Sequence, residues 1–181
     1  MRPTPLLLAA FVALPAFAQN TKQVATPKSR AGASAVADIR THWKMLSGYI
    51  VESAVDVPED KYDYKPTPTV RSFGEMFAHV AGAQSMFCAI ALGEKPPAED
   101  AVTARTKAGV IEALKASNTN CERAYAQSDA DAGKNVDVFG DQHTRLYALM
   151  MNATHDGEHY GNLITYLRMN GMVPPSSKPG R

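Results

Sequence analysis

The stretch from Asp141 to Asn170 decides the fold of this chain, and it reads DQHTRLYALMMNATHDGEHYGNLITYLRMN. Its apolar residues recur every three or four positions, which is the period of an amphipathic α-helix. Gly171 stands where a glycine commonly ends a helix, and Pro174 prevents the helix from continuing. The predicted apolar face consists of Leu146, Leu149, Met150, Ala153, Tyr160, Ile164 and Leu167. A helix with such a face needs other helices to cover it.

Three further helices are predicted upstream of this one. The first follows an apolar period from Val36 and ends near Asp56 to Pro58. The second begins at the segment Ser72-Phe73-Gly74-Glu75, which matches the capping box S-x-x-E, and ends at Gly93. The third covers Thr106 to Gln127, and a polar stretch follows it. All four segments therefore have the period of helices that pack against one another.

These patterns predict an all-α fold. We find no convincing alternating strand pattern, no internal repeat and no Gly-rich phosphate loop in the sequence. The connections are each roughly a dozen residues long, as in the Pro-rich segment 58–70, and an up-and-down bundle does not need that length. We predict a four-helix bundle with long crossover connections over residues 36–173, a flexible linker over 19–35 and a C-terminal tail over 174–181.

Residues 1–18 have the pattern of a secretory signal peptide. A positively charged second residue precedes the apolar run Leu6–Leu14, and Ala16-Phe17-Ala18 forms a small-x-small cleavage site. The alternative is an uncleaved membrane anchor, but the run is short for a bilayer core of about 30 Å and is broken by Pro15. We therefore expect cleavage, no stable membrane anchor after it, and a periplasmic or secreted protein.

The composition limits the classes of partner. Of 181 residues, 19 are Lys or Arg and 18 are Asp or Glu, so the formal net charge of +1 gives no broad basic field for nucleic acid. Cys88 and Cys121 lie in predicted helices near apolar positions, where buried thiols or a helix-to-helix disulfide are expected rather than a reactive site. Small bundles often pair, so a homodimer is an open alternative to a monomer.

Five histidines are present, and His155 and His159 form the informative pair. Residues four apart lie on one helix face with Cβ atoms about 5–6 Å apart, so their rings can bind one metal ion. The spacing also occurs by chance. On a helical wheel the pair lies more than 90° from the centre of the apolar face, where it either lines a cleft or faces solvent.

The other histidines and the neighbouring acids carry less information. His79 lies at the edge of the second helix's apolar face, and it completes a three-histidine site only if the second and fourth helices are neighbours. We expect surface or capping roles for His42 and His143. Asp156 and Glu158 could accept hydrogen bonds from ligand imidazoles, but acids on a helix are more often solvated, which is our expectation for both.

Three motifs together resemble those of the DinB-like superfamily over Val36 to Ser177. They are Arg71-Ser72-Phe73-Gly74-Glu75-Met76 followed by Ala78-His79, His155-x-x-x-His159-Tyr160-Gly161 followed by Leu163 to Arg168, and Asn170-Gly171-x-Val173-Pro174-Pro175. That superfamily includes metal-dependent thiol transferases and many members of unassigned activity. The resemblance implies a bundle with one long crossover.

The resemblance also implies a metal site made by His79, His155 and His159. Members often have a Gln where this chain has Asn162, whose side chain is one methylene shorter. The ligands suit a divalent ion, and zinc, nickel, manganese and iron are all compatible with imidazole. The implied function is a metal-dependent transferase or hydrolase acting on a small molecule, with a small-molecule thiol or an electrophile as its partner.

Two alternatives remain open on the sequence. The first is a non-catalytic metal-binding or stress-related module, in which the ion ties two helices together and contributes to folding. The second is a purely structural bundle without a metal. The sequence assigns no catalytic residue.

Overall fold

The computed structural model describes residues 34–180. The fold over this range is mostly helical, which confirms the predicted all-α class, and it also contains one small hairpin. Four long helices build it, namely α1 (Ala35–Asp56), α2 (Phe73–Leu92), α3 (Lys107–Ala124) and α5 (Arg145–Met169). Between α3 and α5 lie the one-turn helix α4 (Asp129–Ala132) and two antiparallel strands, β1 (Asn135–Val138) and β2 (Asp141–Thr144).

The capping box predicted for α2 is confirmed. The Ser72 hydroxyl accepts a hydrogen bond from the Glu75 backbone N–H at 3.2 Å, and the Glu75 carboxylate accepts one from the Ser72 N–H at 2.8 Å. These contacts satisfy two backbone donors that a helix N-terminus otherwise leaves unpaired. At the other end, Gly93 adopts a left-handed conformation (φ 74°) that favours glycine and stops the helix.

The four long helices pack around the core in the order α1, α3, α2, α5, so that α1 and α2 lie across a diagonal and α3 and α5 across the other. The connections α1–α2 (57–72) and α3–α5 (125–144) therefore each cross the end of the bundle between diagonal helices. Their length, which the sequence indicated, is needed for this crossing. The consequence is that α2 and α5 are direct neighbours.

The centre of the bundle is apolar and is tied at two points. Cys88 on α2 and Cys121 on α3 form a disulfide, and both residues are completely buried. The Trp43 ring stacks on Tyr125 with centroids 4.5 Å apart, and its indole N–H donates to the Gln84 side chain at 2.9 Å. Within the described range, α2 alone is long and apolar enough to cross a membrane, and most of it is buried as in a core helix.

The hairpin corrects the prediction that residues from Asp141 onward are helical. Strands β1 and β2 contain four residues each, too few for an alternating pattern to stand out, and Phe139-Gly140 joins them with both φ angles positive. The last helix begins only at Arg145, because the Thr144 hydroxyl caps it by accepting from the Tyr147 N–H at 3.2 Å. Similarly, α3 ends at Ala124 rather than Gln127.

The chain after α5 packs back on the bundle. A short 3₁₀ turn covers Pro175–Ser177, and the Tyr160 hydroxyl donates to the Ser176 hydroxyl at 2.8 Å. The Lys178 ammonium then pairs with Glu52 and Asp56 of α1, at 2.8 and 2.6 Å. At the other terminus, the predicted signal peptide and nearly all of the predicted linker lie outside the described residues.

Candidate metal centre

Two neighbouring helices carry the three histidines that the motifs single out. His79 lies in the second turn of α2, and His155 and His159 lie one turn apart in the middle of α5. Because α2 and α5 are in direct contact, the condition for a common site is met. His159 is buried at 7 % exposure, and His79 and His155 are half-buried. The side of α5 that carries His155 and His159 thus faces a neighbouring helix rather than solvent.

The three imidazoles point the same nitrogen at a common centre. The Nε2 atoms are 3.0 Å apart for His79 and His159, 3.1 Å for His155 and His79, and 3.0 Å for His159 and His155. A neutral ring nitrogen either donates or accepts a hydrogen bond, so no choice of tautomers turns all three edges of this triangle into hydrogen bonds. A cation shared by three nitrogen lone pairs removes that conflict.

The dimensions of the triangle fit a metal ion. Imidazole nitrogens bind divalent first-row ions at about 2.0–2.1 Å, and the three Nε2 atoms are close enough together to be reached at that distance from one point. Three nitrogens this close occupy one side of an ion and leave its other side open to water or another ligand. The donor set is neutral imidazole only, and imidazole is a common ligand of divalent first-row metal ions.

The surroundings keep the imidazoles in their metal-binding form. Burial, together with the neighbouring His159, His79 and Arg71, lowers the pKa of His155 to about 3. Burial and then Arg71 also lower the pKa of His79, against a smaller opposing effect of Glu158. Metal ligation requires the neutral ring, so at neutral pH neither of these two ligands has to lose a proton first.

The triangle lies at the edge of a cleft of about 1040 Å³. His79 and His159 form part of its wall, and Glu158, Asn162 and Tyr166 of α5 continue it. The rest of the lining includes residues of the α1–α2 connection and of the segment before α3, among them Arg71 and Arg105. An ion held by the three histidines is therefore reachable by a small molecule.

Comparison with known proteins supplies the observation that decides the family. Residues 39–163, well over half of the chain, match the DinB superfamily. The chain belongs to the DinB superfamily. This agrees with the resemblance that the motifs indicated and with the bundle that the helices form. In a search of curated proteins, no match to the chain was found.

Two solved structures of DinB-like proteins are similar to this DinB chain. One, from Bacillus cereus ATCC 10987, has a TM-score of 0.67 and 15% sequence identity, covering 77% of this chain and 95% of its own. The other, from Bacillus subtilis, has a TM-score of 0.60 and 20% identity, covering 78% and 99%. At these identities the likeness concerns the fold. Family and histidine cluster together are compatible with metal binding.

One acidic neighbour differs from the prediction for this DinB chain. Asp156 was expected to be solvated but is completely buried, and burial raises the pKa of its carboxyl group. On a helical wheel Asp156 lies 100° from His155, between the completely buried Leu149 and Leu163, so its side chain enters the core. Glu158 is exposed, as predicted.

The remaining sites are simpler. His42 is exposed, and His143 in β2 stacks on Tyr147 with ring centroids 4.0 Å apart, so neither joins the cluster.

The sequence assigned no role to Arg71 beyond its place in a motif. Its position directly before the capping box of α2 is the signal that could have found it, because that position lies two turns from His79. Phe87 also packs on His155, with centroids 5.9 Å apart.

Proposed function

We propose that this protein binds one divalent metal ion through His79, His155 and His159 and acts on a small molecule, in a metal-dependent transfer or hydrolysis reaction. The single observation that carries the proposal is the triangle of Nε2 atoms with edges of 3.0–3.1 Å, which a bound cation satisfies and hydrogen bonds cannot. The cleft beside the triangle supports a reaction on a small molecule rather than a closed structural ion.

The metal ion, when bound, lowers the pKa of a coordinated water or thiol and so supplies a nucleophile at neutral pH. The chain's own residues do the rest. The histidines hold their Nε2 atoms toward one point, Phe87 covers His155 on the side of the core, and Tyr166 and Met76 line the cleft. A thiol or an electrophile that enters the cleft reaches the histidine cluster.

The test is the metal content of the purified protein together with single His→Ala variants. We expect about one ion per chain by elemental analysis, and a loss of that ion in His79→Ala, His155→Ala and His159→Ala. His42→Ala is the matched control, because it removes an exposed imidazole from α1, and it should keep the ion. Negligible metal in the wild type, with stability unchanged by a chelator, contradicts the proposal.

Turnover separates the enzyme from the non-catalytic alternative. Product formation from a thiol and an electrophile, lost in His159→Ala with the helical circular dichroism spectrum retained, supports a catalyst. Stoichiometric metal without any turnover over a broad panel favours a module in which the ion ties α2 to α5.

We also propose that the protein is exported, to the periplasm or beyond. The signal-like sequence of residues 1–18 supports this proposal, as does the disulfide between Cys88 and Cys121, since disulfides persist in oxidising compartments. The mass of the mature protein purified from its native host tests this proposal, and Gln19 is the expected first residue.

A further inference from the structure

Three cationic side chains line the cleft beside the histidine cluster, and they differ in what neutralises them. Lys65 is paired with Glu75 at 2.8 Å, so its charge is compensated inside the protein. Arg71 and Arg105 are exposed to the cleft, and among the side chains that the structure describes no carboxylate lies within ion-pair distance of either guanidinium. Their positive charge is available to a ligand.

Arg71 is held in a fixed place relative to the histidines. It directly precedes Ser72, the N-cap of α2, and its backbone carbonyl accepts a hydrogen bond from the Tyr166 hydroxyl of α5 at 3.1 Å. The residue is thus anchored to both helices that carry the metal ligands. Its side chain lines the same cleft as His79 and His159, so its charge is presented to the space beside the cluster.

The size and charge of the cleft select the kind of ligand. Its volume of about 1040 Å³ is at the upper end of the range for small-molecule sites, far more than a lone ion needs. Its wall also carries the acidic residues Glu158 and Asp100, which disfavour a ligand with negative charge over its whole length. A guanidinium pairs with a planar carboxylate through two parallel hydrogen bonds.

We propose that the cleft takes a small molecule bearing a carboxylate, which Arg71 binds with the help of Arg105 while the reacting end of the molecule lies at the three histidines. This inference rests on the proposed function, because it names the substrate class of the same site. Arg71 is then a specificity-determining residue, whose charge separates acids from neutral analogues without being needed to hold the metal.

The first arm of the test uses the Co²⁺-loaded protein, whose absorption reports thiolate binding. The probes are ω-mercaptoalkanoic acids of increasing chain length, each paired with its primary amide, so that the unknown span from metal to guanidinium is scanned. At the best length the acid should bind about tenfold or more tightly than the amide. In Arg71→Gln the preference should fall to about one, with amide affinity and cobalt content unchanged.

The matched control is Arg168→Gln, which removes the same charge from α5 outside the cleft and should keep the preference. Arg105→Gln should reduce the preference less than Arg71→Gln. Equal affinities of acid and amide at every length overturn the inference, as does an equal effect of Arg71→Gln and Arg168→Gln.

The second arm needs no metal and separates failure of this inference from failure of the proposed function. In the NMR spectrum of the metal-free ¹⁵N-labelled protein, the Arg71 Nε–H signal is assigned as the one that Arg71→Gln removes. This signal should shift saturably with pentanoate and not with pentanamide. If cobalt does not bind but this shift occurs, the proposed function fails and the carboxylate site stands. If cobalt binds but the signal does not respond to pentanoate, the carboxylate site fails alone.

Discussion

The carboxyl group of Asp156 lies in the core, and neither of its oxygens has a hydrogen-bond partner among residues 34–180. One turn earlier on α5, the Asn152 amide donates to the Tyr125 hydroxyl at 3.1 Å, while its own carbonyl oxygen is also without a partner in that range. Residues four apart on a helix are neighbours. A hydrogen-bond donor at position 156 can therefore reach the Asn152 carbonyl oxygen. An ionised carboxylate has no proton to donate to it.

This arrangement predicts that Asp156→Asn stabilises the metal-free protein at neutral pH, by roughly 1–3 kcal/mol in the free energy of unfolding. Burial raises the pKa of Asp156 in the folded state, so the folded protein holds this proton more tightly than the unfolded chain does. Wild-type stability should consequently fall as the pH rises above the ordinary Asp pKa, and the variant should lack that part of the decrease.

Urea denaturation of chelator-treated protein between acidic and neutral pH measures both effects. Glu158→Gln is the control, because it removes an exposed carboxylate two residues away and should change stability little. A less stable Asp156→Asn protein at neutral pH would contradict the prediction and would indicate that the carboxylate is needed in its charged form.

At the scale of the elements, α2 links the parts of the molecule. It carries His79, which faces α5, and Cys88, which is bonded to α3, and its capping box starts next to Arg71. Ser72 is only 3 % exposed, so its hydroxyl is not replaced by water when it is removed. The position of this helix N-terminus therefore affects both the metal site and the cleft.

We predict that Ser72→Ala lowers the free energy of unfolding by about 1 kcal/mol, because the Glu75 N–H loses its acceptor. Ser72→Thr should restore most of the loss, since threonine also caps. Ser128→Ala is a matched control: it removes the exposed serine that caps the one-turn helix α4, and it should cost much less. Chemical denaturation measures all three, and equal losses in Ser72→Ala and Ser128→Ala would contradict the prediction.

What the sequence predicts at this scale follows the strength of the local signal. The four long helices and the cap at Ser72 are predicted because apolar periods and capping residues are local. The hairpin at 135–144 is not, because strands of four residues carry too little pattern and its Phe139-Gly140 turn lacks the common Asn-Gly signature. The same limit shifts the predicted start of α5 from Arg145 to Asp141.

At the scale of the whole molecule, the order of the helices makes the histidine cluster. In a bundle where each helix packs beside the next in the chain, the second and fourth long helices lie across the diagonal. Here the two crossing connections make α2 and α5, the second and fourth long helices, direct neighbours. His79 therefore lies next to His155 and His159. Helical periods do not show which helices are neighbours. The residues alone therefore predicted the three-histidine site only on the condition that the second and fourth helices touch, and the superfamily resemblance implied that they do.

The same helix order makes the disulfide and the histidine cluster independent ties, one from α2 to α3 and the other from α2 to α5. We predict that Cys88→Ala/Cys121→Ala lowers the free energy of unfolding by about 2–4 kcal/mol, because the bond closes a loop with a sequence separation of 33. Metal content should stay the same, since the histidines join the other helix pair.

The fully reduced wild type is the isosteric control, because truncating two buried side chains also leaves cavities. It should lose most of the same stability, and the double variant should be indifferent to reductant. Both cysteines are completely buried, so reduction without denaturant should proceed only as fast as the bundle opens. Two free thiols per unfolded chain in protein from an oxidising compartment, or equal urea midpoints with and without reductant, would contradict this account of how the bundle is held.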